Sequence, residues 1–146
     1  MSWDRVHRRH QLVHAVLASG LTTVPADLAA EVAAEFGDFG GFLQEVQRRW
    51  YRAFDARLDA VLEERPQDVH DALVRLWRDL ALTMPAARLM LDANAGHPAL
   101  VEGDDRHRRL LHAATGVVLS PAPLTEQPAA RRKPCLLSLL LRTSTT

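Results

Sequence analysis

The stretch Phe42–Glu64 leaves this chain few choices of fold. Leu43, Val46, Trp50, Phe54, Leu58, Val61 and Leu62 recur every three or four residues, so a helix gathers them on one stripe. Gln44, Gln47, Arg48, Arg52, Asp55, Arg57 and Asp59 fall on the opposite face, and the pattern persists for about six turns. A helix of that length is stable in water only if its apolar stripe packs on other helices.

The partner stripe follows at once. Pro66 stops the long helix, and Asp68–Leu82 carries Val69, Leu73, Leu76, Trp77 and Leu80 at helical spacing. So short a connection predicts an antiparallel hairpin in which Trp50, Phe54 and Trp77 share a core. Met84-Pro85 then breaks the pattern, because the residue before a proline is pushed out of the helical region.

Shorter periodic segments complete the set. Trp3, Val6, His10, Val13 and Leu17 predict a first helix over Trp3–Ala18, closed near Gly20. Thr22, Thr23 and Pro25 lead into a second, with Leu28, Val32 and Phe36 in line and Gly37 at its end. Asp38–Gly41 reads as a tight connector. Ala86–Ala95 predicts a helix with Leu89, Met90 and Ala93 inward, ended by Gly96-His97-Pro98, and Asp105–Thr115 a last one using Leu110, Leu111 and Ala114. The expectation is an all-α bundle of five to six helices built around the Phe42–Glu64 and Asp68–Leu82 hairpin. There is no internal repeat, and Val117-Val118-Leu119 is the one short strand-like run.

The division expected is a helical domain over residues 1–116 and a Pro-rich tail over 117–146, flexible or loosely docked. Pro121, Pro123, Pro128 and Pro134 forbid a helix there. Leu136–Leu141 is too short to span a bilayer but long enough to fill a groove.

Charge narrows the choice of partner. Eighteen basic residues balance eighteen acidic ones among 146, so no overall positive field draws in nucleic acid or anionic lipid. Cys135 is the single cysteine, which excludes an internal disulfide and fits a reducing compartment. With no apolar leader at the start and no membrane-spanning run, the cytoplasm is the expected location. Lys133 is the sole lysine among many arginines, as the codon bias of a high-GC genome produces.

No motif specifies a reaction. Cys135, Ser19, Ser120 and Ser138 lack the flanking residues of an activated nucleophile, and Glu63-Glu64 reads as a charged helix end. The first reading is therefore a non-enzymatic helical interaction or regulatory protein. It would pair with itself as a homodimer and bind a protein partner or a ligand between helices. Phe42, Tyr51, Met84 and Met90, at the edges of the apolar stripes, are the candidate interface. The hairpin followed by the Met84-Pro85 break resembles, in general pattern, the effector-and-dimerisation half of helical bacterial regulators, which implies the same homodimer.

A second reading is a helix-turn-helix regulator over Ala29–Arg48. Val32 and Phe36 fall at buried positions, Gly37 at the turn, and Gln44, Gln47 and Arg48 on the face offered to a major groove. Glu31, Glu35 and Asp38 surround that face with negative charge. The third reading is a metal or cofactor site at His7, His10 and His14, which lie on neighbouring turns, with His70, His107 or His112 as a fourth ligand. No carboxylate is interleaved, and Arg5, Arg8 and Arg9 would repel a cation. No cofactor other than that metal is implied.

Overall fold

A computed structural model describes residues 2–119. Within them the chain forms six helices and no strand: α1 (Trp3–Ala18), α2 (Ala29–Phe36), α3 (Phe39–Glu63), α4 (Val69–Thr83), α5 (Pro85–Ala93) and α6 (Pro98–Thr115). The expected all-α bundle is the fold. The tail beyond Leu119, with Cys135, the Arg131-Arg132-Lys133 cluster and Leu136–Leu141, lies outside the described residues.

Helix α3 is the centre of the bundle and packs against α2, α4, α5 and α6. Its predicted stripe is its buried face, with Leu43, Val46, Trp50 and Phe54 at 0% exposure. The α3–α4 hairpin closes as expected. Trp77 meets Trp50 edge-on at 5.1 Å between ring centroids and Phe54 at 5.9 Å, geometries that aromatic quadrupoles favour.

Side-chain caps set several helix starts. Asp38 Oδ1 accepts from the Gly41 N–H at 2.7 Å, and Asp68 Oδ1 from the Asp71 N–H at 2.9 Å. Each cap satisfies one of the N–H groups a first turn leaves open, worth about 1 kcal/mol. With Asp38 as its cap, α3 begins at Phe39 rather than Phe42. The expected connector Asp38–Gly41 therefore shrinks to Gly37-Asp38, and Gly40 and Gly41 are helical. A Cβ on Gly41 would overlap the Phe36 carbonyl oxygen, so glycine there lets α2 end directly against the start of α3.

The smaller helices differ more from the sequence expectation. In α1 the buried residues are Leu12, Val13 and Val16, while Trp3 is 82% and Val6 46% exposed. The expected stripe fails at its N-terminal half because α1 packs chiefly on α2 and α5 through its C-terminal half. In α5, Ala87, Met90 and Leu91 are buried, and the expected inner residues Leu89 and Ala93 face outward. Helix α6 starts seven residues earlier than Asp105: Pro98 opens it, and His97 Nδ1 caps it by accepting from the Ala99 N–H at 3.1 Å. Proline lacks only an N–H that a first turn leaves unpaired, so Pro98 starts a helix where it was expected to follow one. Leu100 and Leu111 anchor α6, and Leu110 and Ala114 are exposed. Val117 and Leu119, just past the boundary expected at Gly116, pack against the core.

Candidate functional site

The crossing of α3 with α6 gathers polar groups that helix periodicity alone would place in solvent. Gln47 and Tyr51, one turn apart on α3, face Asp104 and His107 on α6. Gln47 is 5% exposed, yet its amide is satisfied: Nε2 donates to the Leu100 carbonyl at 2.9 Å and to Asp104 Oδ1 at 2.7 Å. The Tyr51 hydroxyl donates to the same Asp104 oxygen at 2.5 Å. A buried polar group stays inexpensive only while such partners hold it.

His107 lies flat on Tyr51, 3.9 Å between ring centroids and 16° between planes, with Phe54 edge-on at 5.2 Å. Its Nε2 stands 3.2 Å from Asp55 Oδ1, with the donor set by the ring tautomer. Burial pulls the His107 pKa below the ordinary histidine value, and the Asp55 charge and hydrogen bond oppose it without cancelling it. Burial pushes the Tyr51 phenol well up, and the hydrogen bond and charge of Asp104 add to the rise. Tyr51 is thus a fixed donor rather than a source of phenolate.

Helix α5 adds a second polar pair on an aromatic floor. The Arg88 guanidinium carbon stands 4.7 Å from the Trp50 ring centroid and 4.9 Å from that of Trp77. Arg88 Nε and Nη2 both donate to Asp92 Oδ1, at 2.8 and 2.7 Å. Cation–π contact of this kind strengthens as water is excluded. Beneath it the Trp50 Nε1–H is buried with no hydrogen-bond partner among the described residues.

These elements enclose a cavity of about 250 Å³. Two cations, Arg88 and Arg108, and two carboxylates, Asp92 and Asp104, stand around it, while Leu91, Leu100, Leu111 and Leu119 supply apolar wall. Among the described residues no serine, threonine, cysteine or lysine lines it.

The residues singled out from the sequence are scattered by comparison. Phe42 and Met90 are core residues at 0% exposure and cannot form an interface, because α3 and α5 turn them inward. Tyr51 is half-buried in the polar cluster, and Met84, packed against the core, reaches an open groove. Gln44 Nε2 donates to the Ala99 carbonyl at 3.1 Å, and Gln47 is buried under α6 rather than offered to a groove. Of that face, Gln44 and Arg48 stay exposed, Arg48 paired with Glu45 at 2.6 Å.

His7, His10 and His14 are exposed on α1. His7 Nε2 is 3.0 Å from the Gln11 amide nitrogen, and His10 Nδ1 is 3.3 Å from Arg49. Among the described residues no three His, Cys, Asp or Glu side chains converge to hold a metal ion. His107, offered as a fourth ligand, is stacked in the cluster instead.

Arg88, Asp92 and Asp104 carried no site role in the sequence reading. One signal was present for the first pair, since Arg88 and Asp92 are spaced i, i+4 beside the inward Leu91. Asp104 had no comparable signal, because its partners are more than fifty residues away.

Among the described residues, fold and site together define a small all-α protein with a cavity lined by the Arg88–Asp92 ion pair, Arg108 and Asp104. Neither a protein-family model, nor a curated protein, nor a solved structure matches this chain. Among the described residues no helix is long and apolar enough to cross a membrane.

Proposed function

We propose that this is a non-enzymatic helical interaction or regulatory protein that holds a small ligand between α3, α5 and α6. The observation that carries this reading is the cavity itself, where Tyr51, Arg88, Asp92, Asp104 and His107 meet over an apolar wall. Convergent polar groups in a mostly enclosed hollow between helices are the usual form of a ligand site.

The lining suits binding rather than chemistry. Tyr51 is held protonated, His107 is stacked between Tyr51 and Phe54 with Nε2 against Asp55, and Asp104 Oδ1 already accepts two hydrogen bonds. Opposed charges at the rim favour a small dipolar molecule over a simple anion or cation. A volume near 250 Å³ lies just below the usual range of small-molecule pockets, which suits a ligand of few atoms.

The test is thermal denaturation against a panel of small zwitterions and polar aromatics, with an Ala95→Trp variant as control. Ala95 is exposed at the cavity wall, so an indole there blocks the hollow without entering the core. The reading requires a saturable rise in Tm with one member of the panel, lost in Ala95→Trp. An equal rise in both proteins would place the binding elsewhere and reject it.

A further inference from the structure

An open groove of about 900 Å³ runs between α1 and α3, on a different face from the cavity. Val6, Ala53, Ala56 and Met84 give it an apolar floor, and Trp3, one turn before Val6 on α1, is 82% exposed. From Glu45 to Ala56 the α3 wall measures about 16 Å, enough for about three turns of a docked helix.

The walls are strongly cationic. Arg9, Arg48, Arg49 and Arg52, with His10, stand against the single carboxylate of Glu45. Burial alone would raise the Glu45 carboxyl, but Arg48 and Arg49 hold it below the ordinary carboxylate range. Glu45 is therefore ionised, yet it is already shared between those two arginines. Arg52 forms no ion pair among the described residues.

This charge is a local segregation. Four of the eighteen basic residues, Arg131, Arg132, Lys133 and Arg142, and only one acidic residue, Glu126, lie beyond residue 119. The described body is net acidic, so the positive groove does not follow from the composition around it.

We propose that this groove docks an acidic amphipathic helix of a protein partner. The partner's apolar residues, at i, i+3 or i+4 and i+7, would sit on Val6, Ala53, Ala56 and Met84, and its flanking carboxylates would face Arg9, Arg48 and Arg52. Charge excludes the simpler occupants. A second copy that meets this groove with its own groove about a two-fold axis sets these arginines against one another, and like charges in contact are costly. The chain's own tail carries Arg131, Arg132 and Lys133 only two residues ahead of its leucines, so it brings positive charge to a positive groove. A nucleic acid would leave the apolar floor uncovered.

The experiment uses the full chain and two labelled synthetic peptides of about four helical turns. They share one leucine stripe and differ only in flanking Glu or Lys. The glutamate peptide is expected to bind at micromolar concentration, at least about tenfold more tightly than the lysine peptide. An Arg48→Glu/Arg52→Glu variant, with circular dichroism confirming its fold, should weaken binding about tenfold or more, as loss of two exposed pairs implies. Val6→Asp should weaken it too, because the apolar floor is part of the site. Any one of four results overturns the proposal: no binding of the glutamate peptide near millimolar concentration, equal binding of the two peptides, full binding by the double variant, or a wild-type dimer that this variant dissociates.

Discussion

Gly103 of α6 lies directly against the side-chain amide of Gln47 on α3, and a Cβ on Gly103 would overlap Gln47 Oε1. This contact lets the two helices approach closely enough for Gln47 to reach the Leu100 carbonyl and Asp104 together. A glycine inside a helix ordinarily costs about 0.5–1 kcal/mol relative to alanine. Here the close approach requires it.

Gly103→Ala should therefore destabilise the protein despite its better helix propensity. Overpacking of this kind costs about 1–3 kcal/mol, read as a lower urea midpoint with unchanged m. Adding Gln47→Ala should recover part of the loss, so the double variant is more stable than the sum of the singles predicts. Full additivity would show that the Gln47 side chain is not what the new methyl meets.

The Arg88–Asp92 pair should behave as a unit. Arg88 is 11% and Asp92 25% exposed at the side chain, and Arg88 also covers the Trp50 and Trp77 rings. Arg88→Ala leaves a carboxylate without its partner and removes the cover, a loss of about 3 kcal/mol. Arg88→Lys should recover less than half, because an ammonium cannot place two fixed N–H donors on one oxygen. Equal stability of Arg88→Lys and wild type would contradict this account.

The chain has one tyrosine, so its ultraviolet titration reports Tyr51 alone. The phenol is raised by burial first, and then by the hydrogen bond and charge of Asp104. No tyrosinate absorbance should develop near pH 10 while circular dichroism shows a folded protein; it should appear only with unfolding. Asp104→Asn removes the charge and should bring ionisation to lower pH. A normal titration midpoint in the folded wild type would break the Tyr51–Asp104 assignment.

His107 makes a pH dependence of definite sign. Its pKa is lowered in the folded protein by burial, so the unfolded chain binds the proton more readily. The stability this group contributes is complete above the unfolded value of about 6.5 and is lost as pH falls through the window down to its folded pKa. His107→Phe keeps an aromatic ring on Tyr51 and should flatten the fall in Tm across that window. If the variant and wild type lose Tm in parallel between about pH 6.5 and 5, another group is responsible.

What the sequence by itself determined is whatever depends on neighbours a few residues apart. The α3 stripe, the Pro66 stop, the Asp68 start and the pairing of Trp50 and Phe54 with Trp77 all follow from local spacing, and the structure keeps them. The helix-forming residues of α1 and α5 were equally legible, but which face they bury was not. Val6 and Val13 share one stripe of α1, and Leu89 and Leu91 offer competing faces of α5; only the packing partners bury Val13 and Leu91 and leave Val6 and Leu89 exposed.

The polar cluster where α3 crosses α6 belongs to that second kind of decision, although the Arg88–Asp92 pair beside it is local. Gln47, Tyr51 and His107 read from the sequence as a base-reading residue, an interface residue and a spare metal ligand. Tertiary structure made them one cluster with Asp104, because α6 crosses α3 at Gly103 and closes water out of a polar face. A hydrogen bond between residues more than fifty positions apart has no local signature; it exists only once two helices have met.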